Sequence, residues 1–219
     1  LEADLRRRCL ASALDAGRQL GWRLVVSTPH DLELPADVVR LQQSGDGFGE
    51  RFADTLRRVE DLADGPYVLV GADSPDLTAD HLREAVERLR DEPRDVVLGP
   101  CPDGGFYLLA TSGSLDLDCV AVRWCGRRTL TSLRATLEAS GRRVELLDRL
   151  SDLDHRHDLE RWLAGGASTA LGWQALVAAL RSALAALSRP APAPARDWIA
   201  ADLAAVPLCR PPPTLSALR

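Results

Sequence analysis

The chain has 219 residues, of which 46% are hydrophobic and 27% charged, with a formal net charge of −5. This composition is typical of a globular protein with one sizeable domain, and its negative charge argues against general nucleic-acid binding. Because no apolar run could span a membrane, no signal peptide is visible and the five cysteines are scattered without a CxxC pair, we expect a cytoplasmic protein without a disulfide framework.

Apolar and amphipathic stretches alternate along most of the chain. Apolar residues at helical spacing predict helices, and β-branched runs bounded by glycine or proline predict strands. In chain order the predicted elements are a helix over 1–20, strands over 23–28 and 38–42, a helix over 50–62, a strand over 67–71, a helix over 79–90, strands over 95–98 and 106–110, a helix over 127–140, a strand over 143–147 and a helix within 152–163.

This alternation, with short connections, predicts an α/β fold with a doubly wound, mostly parallel sheet, in which 106–110 occupies an outer or antiparallel position. The pattern changes after residue 164. An apolar stripe from Trp173 to Leu187 predicts a helix, alternating prolines from Pro190 predict a linker, and a short helix is predicted over 198–206. We expect an α/β domain over 1–164 and a helical, proline-rich extension over 165–219. The stripe could cover the sheet, or could bind a partner or a second copy of the chain.

Two aspartates follow predicted strands. Asp73 comes after the strand over 67–71, and Asp103 opens an Asp-Gly-Gly run after the strand over 95–98. Strand ends are where open α/β sheets bind ligands, and carboxylates suit Mg²⁺ or Mn²⁺. The alternatives are structural: Asp73 and Ser74 could only cap a turn, and 103–105 could only form a hairpin turn.

Two further stretches could contact a substrate. The loop over 44–49 precedes a predicted helix whose amino end could bind an anion, with Arg51 contacting a phosphate. The alternative is a flexible loop with an exposed arginine. Trp124 could stack on a sugar ring, or could be an ordinary core residue.

The run from Asp152 to Asp158 contains three aspartates and two histidines, which could be interpreted as a zinc or two-metal site. It precedes a predicted helix, where aspartates are expected as caps, and His155 and His157 cannot share one helix face. We therefore favour a helix start, with Asp154 as the residue that faces the site.

Taken in order, these motifs resemble a known family. They are Gly-x-Asp-x-Pro-x-Leu from Gly71, Asp-x-Val-x-Gly-Pro-x-x-Asp-Gly-Gly-aromatic from Asp95, Trp124, and Asp-x-Asp-x-x-x-Asp-Leu from Asp152. Their order is similar to the bacterial glycosyltransferase-like family of the selenodomain-associated transferase type, within the GT-A nucleotide-diphospho-sugar transferase superfamily. Residues 42–51 are similar to a family segment that ends in Gly-Glu-Arg. The resemblance covers roughly 1–163 and is more specific than any single motif.

The resemblance implies a GT-A fold, a bound Mg²⁺ or Mn²⁺, a nucleotide-activated donor and a small-molecule acceptor. It also implies roles for individual residues. By this resemblance the metal ligands are Asp73 and Asp154, the catalytic residue acting on the acceptor is Asp103, and the substrate or nucleotide contacts are Gly45, Glu50, Arg51, Gly104, Gly105 and Trp124.

The sequence departs from the family pattern in three places. The family begins with a strand and a basic loop ending in Lys-Thr-Arg-Leu, which would precede Leu1, so we expect the first strand of the sheet to be missing. The small hydroxyl residues that usually follow the tryptophan are replaced by Cys125 and Gly126. The usual Thr-Pro-Glu helix start is replaced by 155–157.

Three functions remain open from the sequence. The leading one is a metal-dependent transferase that uses a nucleotide sugar. The second is nucleotidyl transfer from a nucleoside triphosphate to a phosphorylated small molecule, which needs the same arrangement of carboxylates, metal and diphosphate. The third is a non-catalytic binding module.

Overall fold

The computed structural model describes residues 2–62, 65–89, 95–165 and 173–187. The elements predicted within these ranges are present, with ends that differ by a few residues. The proline linker and the helix predicted over 198–206 lie outside the described residues. The elements are α1 (Glu2–Gln19), β1 (Leu24–Thr28), β2 (Val38–Gln42), α2 (Phe48–Glu60), β3 (Tyr67–Val70), α3 (Ala79–Arg88), β4 (Asp95–Pro100), β5 (Phe106–Thr111), α4 (Thr129–Ala139), β6 (Arg143–Leu146), α5 (Arg156–Ala164) and α6 (Gln174–Leu187).

The described strands form two sheets. The first is the parallel pair β1 and β2, and the second has the order β3-β5-β4-β6. In the second sheet β5 runs antiparallel to both of its neighbours, whereas β4 and β6 are parallel. The fold is therefore α/β with mixed strand directions, in which β3, β4 and β6 point the same way and β5 is reversed. Three of these four strands thus share one direction, in keeping with the expected mostly parallel sheet.

The position of β5 corrects one prediction. An antiparallel direction was expected and is found, but β5 is an inner strand, paired with β3 on one side and β4 on the other. Residues 101–105 connect β4 to β5, so the two strands form a hairpin in the middle of the sheet. Tyr107, Leu108, Leu109 and Ala110 are all at most 1% exposed, because helices cover both faces of this strand.

Two apolar clusters lie on opposite faces of the four-stranded sheet. On one face α1 and α3 pack against the sheet through residues such as Ala16 and Ala85. On the other face α2 and α4 pack through residues such as Leu56 and Leu133. Alternate residues of β4 divide between the two clusters, as the pleat of a strand requires.

The tail helix α6 contributes to a third apolar cluster. The apolar stripe that begins at Trp173 packs against α1 and α5, where it meets Leu5, Cys9 and Trp162. The contact is therefore with helices, and the suggestion that this stripe covers the sheet is wrong. The proposed boundary between residues 164 and 165 remains a prediction.

The described part of the chain bears on two further expectations. No helix within it is both long and apolar enough to cross a membrane. Cys9, Cys101 and Cys119, which lie within this part, are free thiols.

Candidate functional site

The turn after β3 carries Asp73. The Gly71 amide donates a hydrogen bond to the Tyr107 carbonyl, 2.9 Å away, so pairing with β5 continues one residue past the strand. The side chain of Asp73 then folds back over Gly71, where an added Cβ would lie 2.6 Å from Asp73 Oδ1. Ser74 and Leu77 are buried, which fixes the turn beneath the carboxylate.

The β4–β5 hairpin carries Asp103 at its exposed tip. The Gly105 amide donates to Asp103 Oδ1 at 2.7 Å, and the Cys101 amide donates to the Gly105 carbonyl at 3.0 Å. Gly104 has a φ of 97°, in the left-handed region that glycine readily adopts. A Cβ at Gly104 would overlap the carbonyl group of Arg127, since it would lie 2.7 Å from the carbonyl carbon.

The segment after β6 crosses the same edge of the sheet as a strap, which we define as residues 147–154. Its amides donate to carbonyls at the ends of the other strands: Leu147 to Leu98 at 2.9 Å, Leu150 to Pro100 at 3.2 Å, and Leu153 to Asp73 at 3.1 Å. The strap therefore brings Asp152 and Asp154 to the carboxylates of the other two loops.

We call Asp73, Asp103, Asp152 and Asp154 the acidic cluster. Ligand atoms of Asp103, Asp152 and the buried Cys101 all lie within 4.8 Å of one another. Carboxylate oxygens are the ligands that Mg²⁺ and Mn²⁺ prefer, and a thiol would favour a softer ion. The donor set fits a divalent cation.

The pKa values of Asp73, Asp152 and Asp154 are raised because burial reduces the solvation of their charges and because like charges lie close together. Burial, then the charges of Asp154 and Asp152, raises the pKa of Asp73 to about 7. Burial, then the charges of Asp103 and Asp154, raises the pKa of Asp152 to about 6. The pKa of Asp154 is raised by burial and by Asp103. The positive charge near these carboxylates is therefore too small to balance their negative charge. A bound divalent cation would supply the missing positive charge.

Two neighbouring groups modify the cluster. The pKa of the Cys101 thiol is raised by burial and by Asp152, to which it is hydrogen-bonded, so the thiol keeps its proton. Arg6 of α1 lines a small cavity together with Asp73, Cys9 and Leu153. Its guanidinium lowers the pKa of Asp73 and of Asp154, but by less than burial raises them.

The residues predicted to contact a nucleotide form a second group at the amino end of α2. The Asp46 amide donates to Glu50 Oε2 at 2.8 Å, and the Arg51 guanidinium reaches the Asp46 carbonyl at 3.4 Å. Gly45 packs against Glu50, where a Cβ would lie 2.6 Å from that of the glutamate. Glu50 and Arg51 thus hold the loop in one conformation.

Trp124 belongs to an aromatic group beside this loop. Its ring centroid lies 5.2 Å from that of Phe48 and 5.2 Å from that of Phe52, and its indole N–H donates to the Cys119 carbonyl at 2.8 Å. Gly49 packs against the indole, where a Cβ would lie 2.7 Å from Cδ1. Trp124 is half-buried, so it packs in the apolar cluster while it retains an exposed part.

One segment links the two groups. Trp124 rests on Gly49 at the start of α2, and three residues later the backbone of Arg127 contacts Gly104. The Leu130 amide also donates to the Gly104 carbonyl at 2.9 Å. The predicted nucleotide loop and the Asp103 loop therefore flank the same stretch of chain.

The structure brings Asp73, Asp103 and Asp154 together in one cluster and places Gly45, Glu50, Arg51 and Trp124 in the other group. Sequence reasoning missed Cys101, Asp152 and Arg6. The alternation Asp152-Leu153-Asp154 was a usable signal for an extended strap, but the motif was interpreted as a helix start. A surface concavity between α4 and residues 116–121 contains none of these groups.

Comparison with known proteins finds a solved structure with a similar fold. A solved structure of a protein from Desulfovibrio desulfuricans G20, described as a putative nucleotide-diphospho-sugar transferase, matches with a TM-score of 0.71 and 23% identity over 84% of each chain. At this identity the likeness shows a shared fold. None of the curated proteins compared with the chain matches it.

A profile of a bacterial family, described as an uncharacterized protein conserved in bacteria (DUF2064), matches residues 3–125. The match includes Asp73, Asp103 and the whole second group, and it ends before Asp152. Because it spans more than half of the chain, the protein belongs to this bacterial family.

Proposed function

We propose that the protein is a metal-dependent transferase that uses a nucleotide-activated donor, and that it transfers a sugar from a nucleotide sugar. The observation that carries the proposal is the convergence of four carboxyl groups on one sheet edge. The raised pKa values of Asp73, Asp152 and Asp154 mark a place where positive charge would be stabilised. The fold is shared with a protein described as a putative nucleotide-diphospho-sugar transferase, whose substrates would need such a charge arrangement.

In this proposal Asp73 and Asp154 hold Mg²⁺ or Mn²⁺, with Asp152 beside them. A divalent cation at this place would neutralise the diphosphate of a donor and the charge that develops on its leaving group. Asp73 suits this role because its turn is buried and its carbonyl is tied to the strap. A rigid support of this kind keeps a ligand atom in place.

In this proposal Asp103 is the residue that acts on the acceptor substrate. Its carboxylate stands at an exposed hairpin tip, and the Gly105 amide fixes one of its oxygens. A carboxylate held in this way can orient an acceptor hydroxyl and accept its proton within hydrogen-bond reach. Gly104 and Gly105 let a substrate approach the backbone of the loop closely.

The second group is assigned to the nucleotide and sugar of the donor. The amino end of α2 presents backbone N–H groups, to which Arg51 adds a permanent positive charge. The exposed part of Trp124 offers a flat apolar surface on which a sugar or base could stack. Gly45 and Glu50 shape the loop between them.

The decisive experiment is ligand-dependent thermal stabilisation of the full-length protein. With UDP-, GDP- and dTDP-sugars tested in turn, we expect one donor to raise the Tm by several degrees with Mn²⁺ and by much less with EDTA. A donor present at 100 times its Kd would add about 2.7 kcal/mol of stability. Asp103→Asn should keep this stabilisation and lose turnover. Failure of every donor to stabilise the protein would refute the proposal.

The same protein tests the alternative reaction. Release of pyrophosphate on incubation with GTP or CTP and a phosphorylated acceptor would assign nucleotidyl transfer instead. If Asp73→Ala changed neither metal binding nor turnover, that result would favour the hypothesis that the protein is a non-catalytic binding module.

A further inference from the structure

Asp76 lies in the same turn as Asp73 and accepts a hydrogen bond from a residue outside this turn. The indole N–H of Trp162 on α5 donates to Asp76 Oδ2 at 2.9 Å. Trp162 is 6% exposed and Asp76 is half-buried, so this hydrogen bond is partly shielded from water. It joins the loop that carries Asp73 to a helix 86 residues further along the chain.

Trp162 is itself held by the tail helix. Its ring meets that of Trp173, which precedes α6, edge to face with a centroid distance of 5.3 Å. The Trp173 indole N–H donates to Ser12 Oγ of α1 at 3.2 Å, and Arg181 of α6 donates to the Leu163 carbonyl at 3.1 Å. The indole that reaches Asp76 is therefore fixed between three helices.

The same helices also touch the Asp73 side of the turn. Leu5 and Cys9 of α1 belong to the apolar cluster that contains both tryptophans. These two residues also line the small cavity beside Asp73. The turn thus rests on the α1, α5 and α6 cluster through its backbone, through Asp76 and through the cavity wall.

We propose that Trp162 is a positioning residue for Asp73, and that α6 serves the site by holding Trp162 in place. The metal-binding part of this inference rests on the proposed function; the part about the turn does not. Groups that hold a metal ligand from behind are worth 10–100-fold in metal affinity, because a small displacement of the ligand weakens its bond. The structure assigns this task to an indole and a half-buried carboxylate outside the acidic cluster.

The test uses single substitutions in the full-length protein. Trp162→Phe keeps an aromatic ring and removes the donor, Asp76→Ala removes the acceptor, and Asp76→Asn keeps an acceptor oxygen without the charge. Tyr67→Phe is the matched control, because it removes buried hydrogen bonds to Glu60 and Gly113 at the opposite end of β3. The readouts are hydrogen exchange of the Leu77 and Leu153 amides without metal, and the Kd for Mn²⁺.

We expect Trp162→Phe and Asp76→Ala to speed exchange at both amides at least tenfold and to weaken Mn²⁺ binding about tenfold. Asp76→Asn and Tyr67→Phe should change both quantities less than threefold. Unchanged exchange in Trp162→Phe would overturn the inference, as would Asp76→Asn behaving like Asp76→Ala. If exchange accelerates but the unsubstituted protein does not bind Mn²⁺, the positioning role stands and the metal in the proposed function fails.

Discussion

Replacing Asp73 with asparagine is expected to stabilise the metal-free protein above pH 7 and to abolish Mn²⁺ binding by the acidic cluster. The pKa of Asp73 is raised from 3.8 to about 7 in the folded state. Between these values the native protein binds more protons than the unfolded chain, so the free energy of unfolding falls as pH rises. The asparagine removes that penalty and also removes a metal ligand.

The sign of the pH dependence is the same for the other carboxyl groups. The pKa of Asp152 is raised to about 6 and that of Asp154 is raised. The stability contributed by the protonated forms of Asp73 and Asp152 is therefore fully present below pH 3.8 and is lost by about pH 7. Without metal, we expect the unsubstituted protein to lose stability across this window, and Asp73→Asn to be about 2 kcal/mol more stable than it at pH 8.

Urea denaturation at pH 4, 6 and 8, with EDTA and then with Mn²⁺, measures both effects. Asp116→Asn is the control, because it removes one exposed negative charge far from the cluster. That variant should follow the unsubstituted protein within about 0.5 kcal/mol at each pH. The reasoning fails if Asp73→Asn is less stable than the unsubstituted protein at pH 8 without metal, or if it binds Mn²⁺ equally well.

Replacing Gly104 with alanine is the second large effect that we expect, with a cost of about 3 kcal/mol in stability and at least a tenfold loss of turnover. The φ of 97° disfavours any side chain, and the new Cβ would collide with the backbone of Arg127, which cannot rotate away. The hairpin tip must then shift, and it carries Asp103 with it.

A matched substitution at Gly21 separates the stability cost of a positive φ from that of the collision with Arg127. Gly21 also has a positive φ, of 69°, but nothing lies within 4 Å of the place where its Cβ would be. Gly21→Ala should therefore cost only about 1–2 kcal/mol of stability, from the unfavourable backbone conformation, and leave turnover unchanged. If chemical denaturation showed equal losses of stability for the two alanine variants, the collision with Arg127 would not contribute to the effect of Gly104→Ala.

The sequence predicts the elements well because local patterns decide them. Leu82 and Ala85 mark the buried face of α3, and a capping box between Thr78 and His81 fixes its start. The place of β5 within the sheet could not be predicted in the same way. A hairpin sequence shows that two strands are antiparallel, but whether a third strand pairs with the far side depends on contacts such as Leu69 with Leu109.

Site residues that directly follow a strand could be predicted from the sequence. Those that reach the site only through tertiary contacts could not. Asp73 and Asp103 follow strands, and the structure brings them together. Asp152 was hidden because aspartates before a helix resemble caps, whereas the cap is His155, whose amide donates to Asp158. Arg6 and Trp162 lie near the site on α1 and α5. The sequences of these helices indicate which face is buried, but not which residues that face contacts.

The strap that closes the acidic cluster also has a consequence for the kinetics of the molecule. Its contact between Leu153 and Asp73 joins residues 80 positions apart, whereas the β4–β5 hairpin is local. Contacts between distant residues are costly to form and belong to the late stages of folding. Repulsion among the carboxylates then exists in the native state but not in the transition state. Alkaline pH would shorten the lifetime of the native protein, while the rate at which it refolds stays nearly the same.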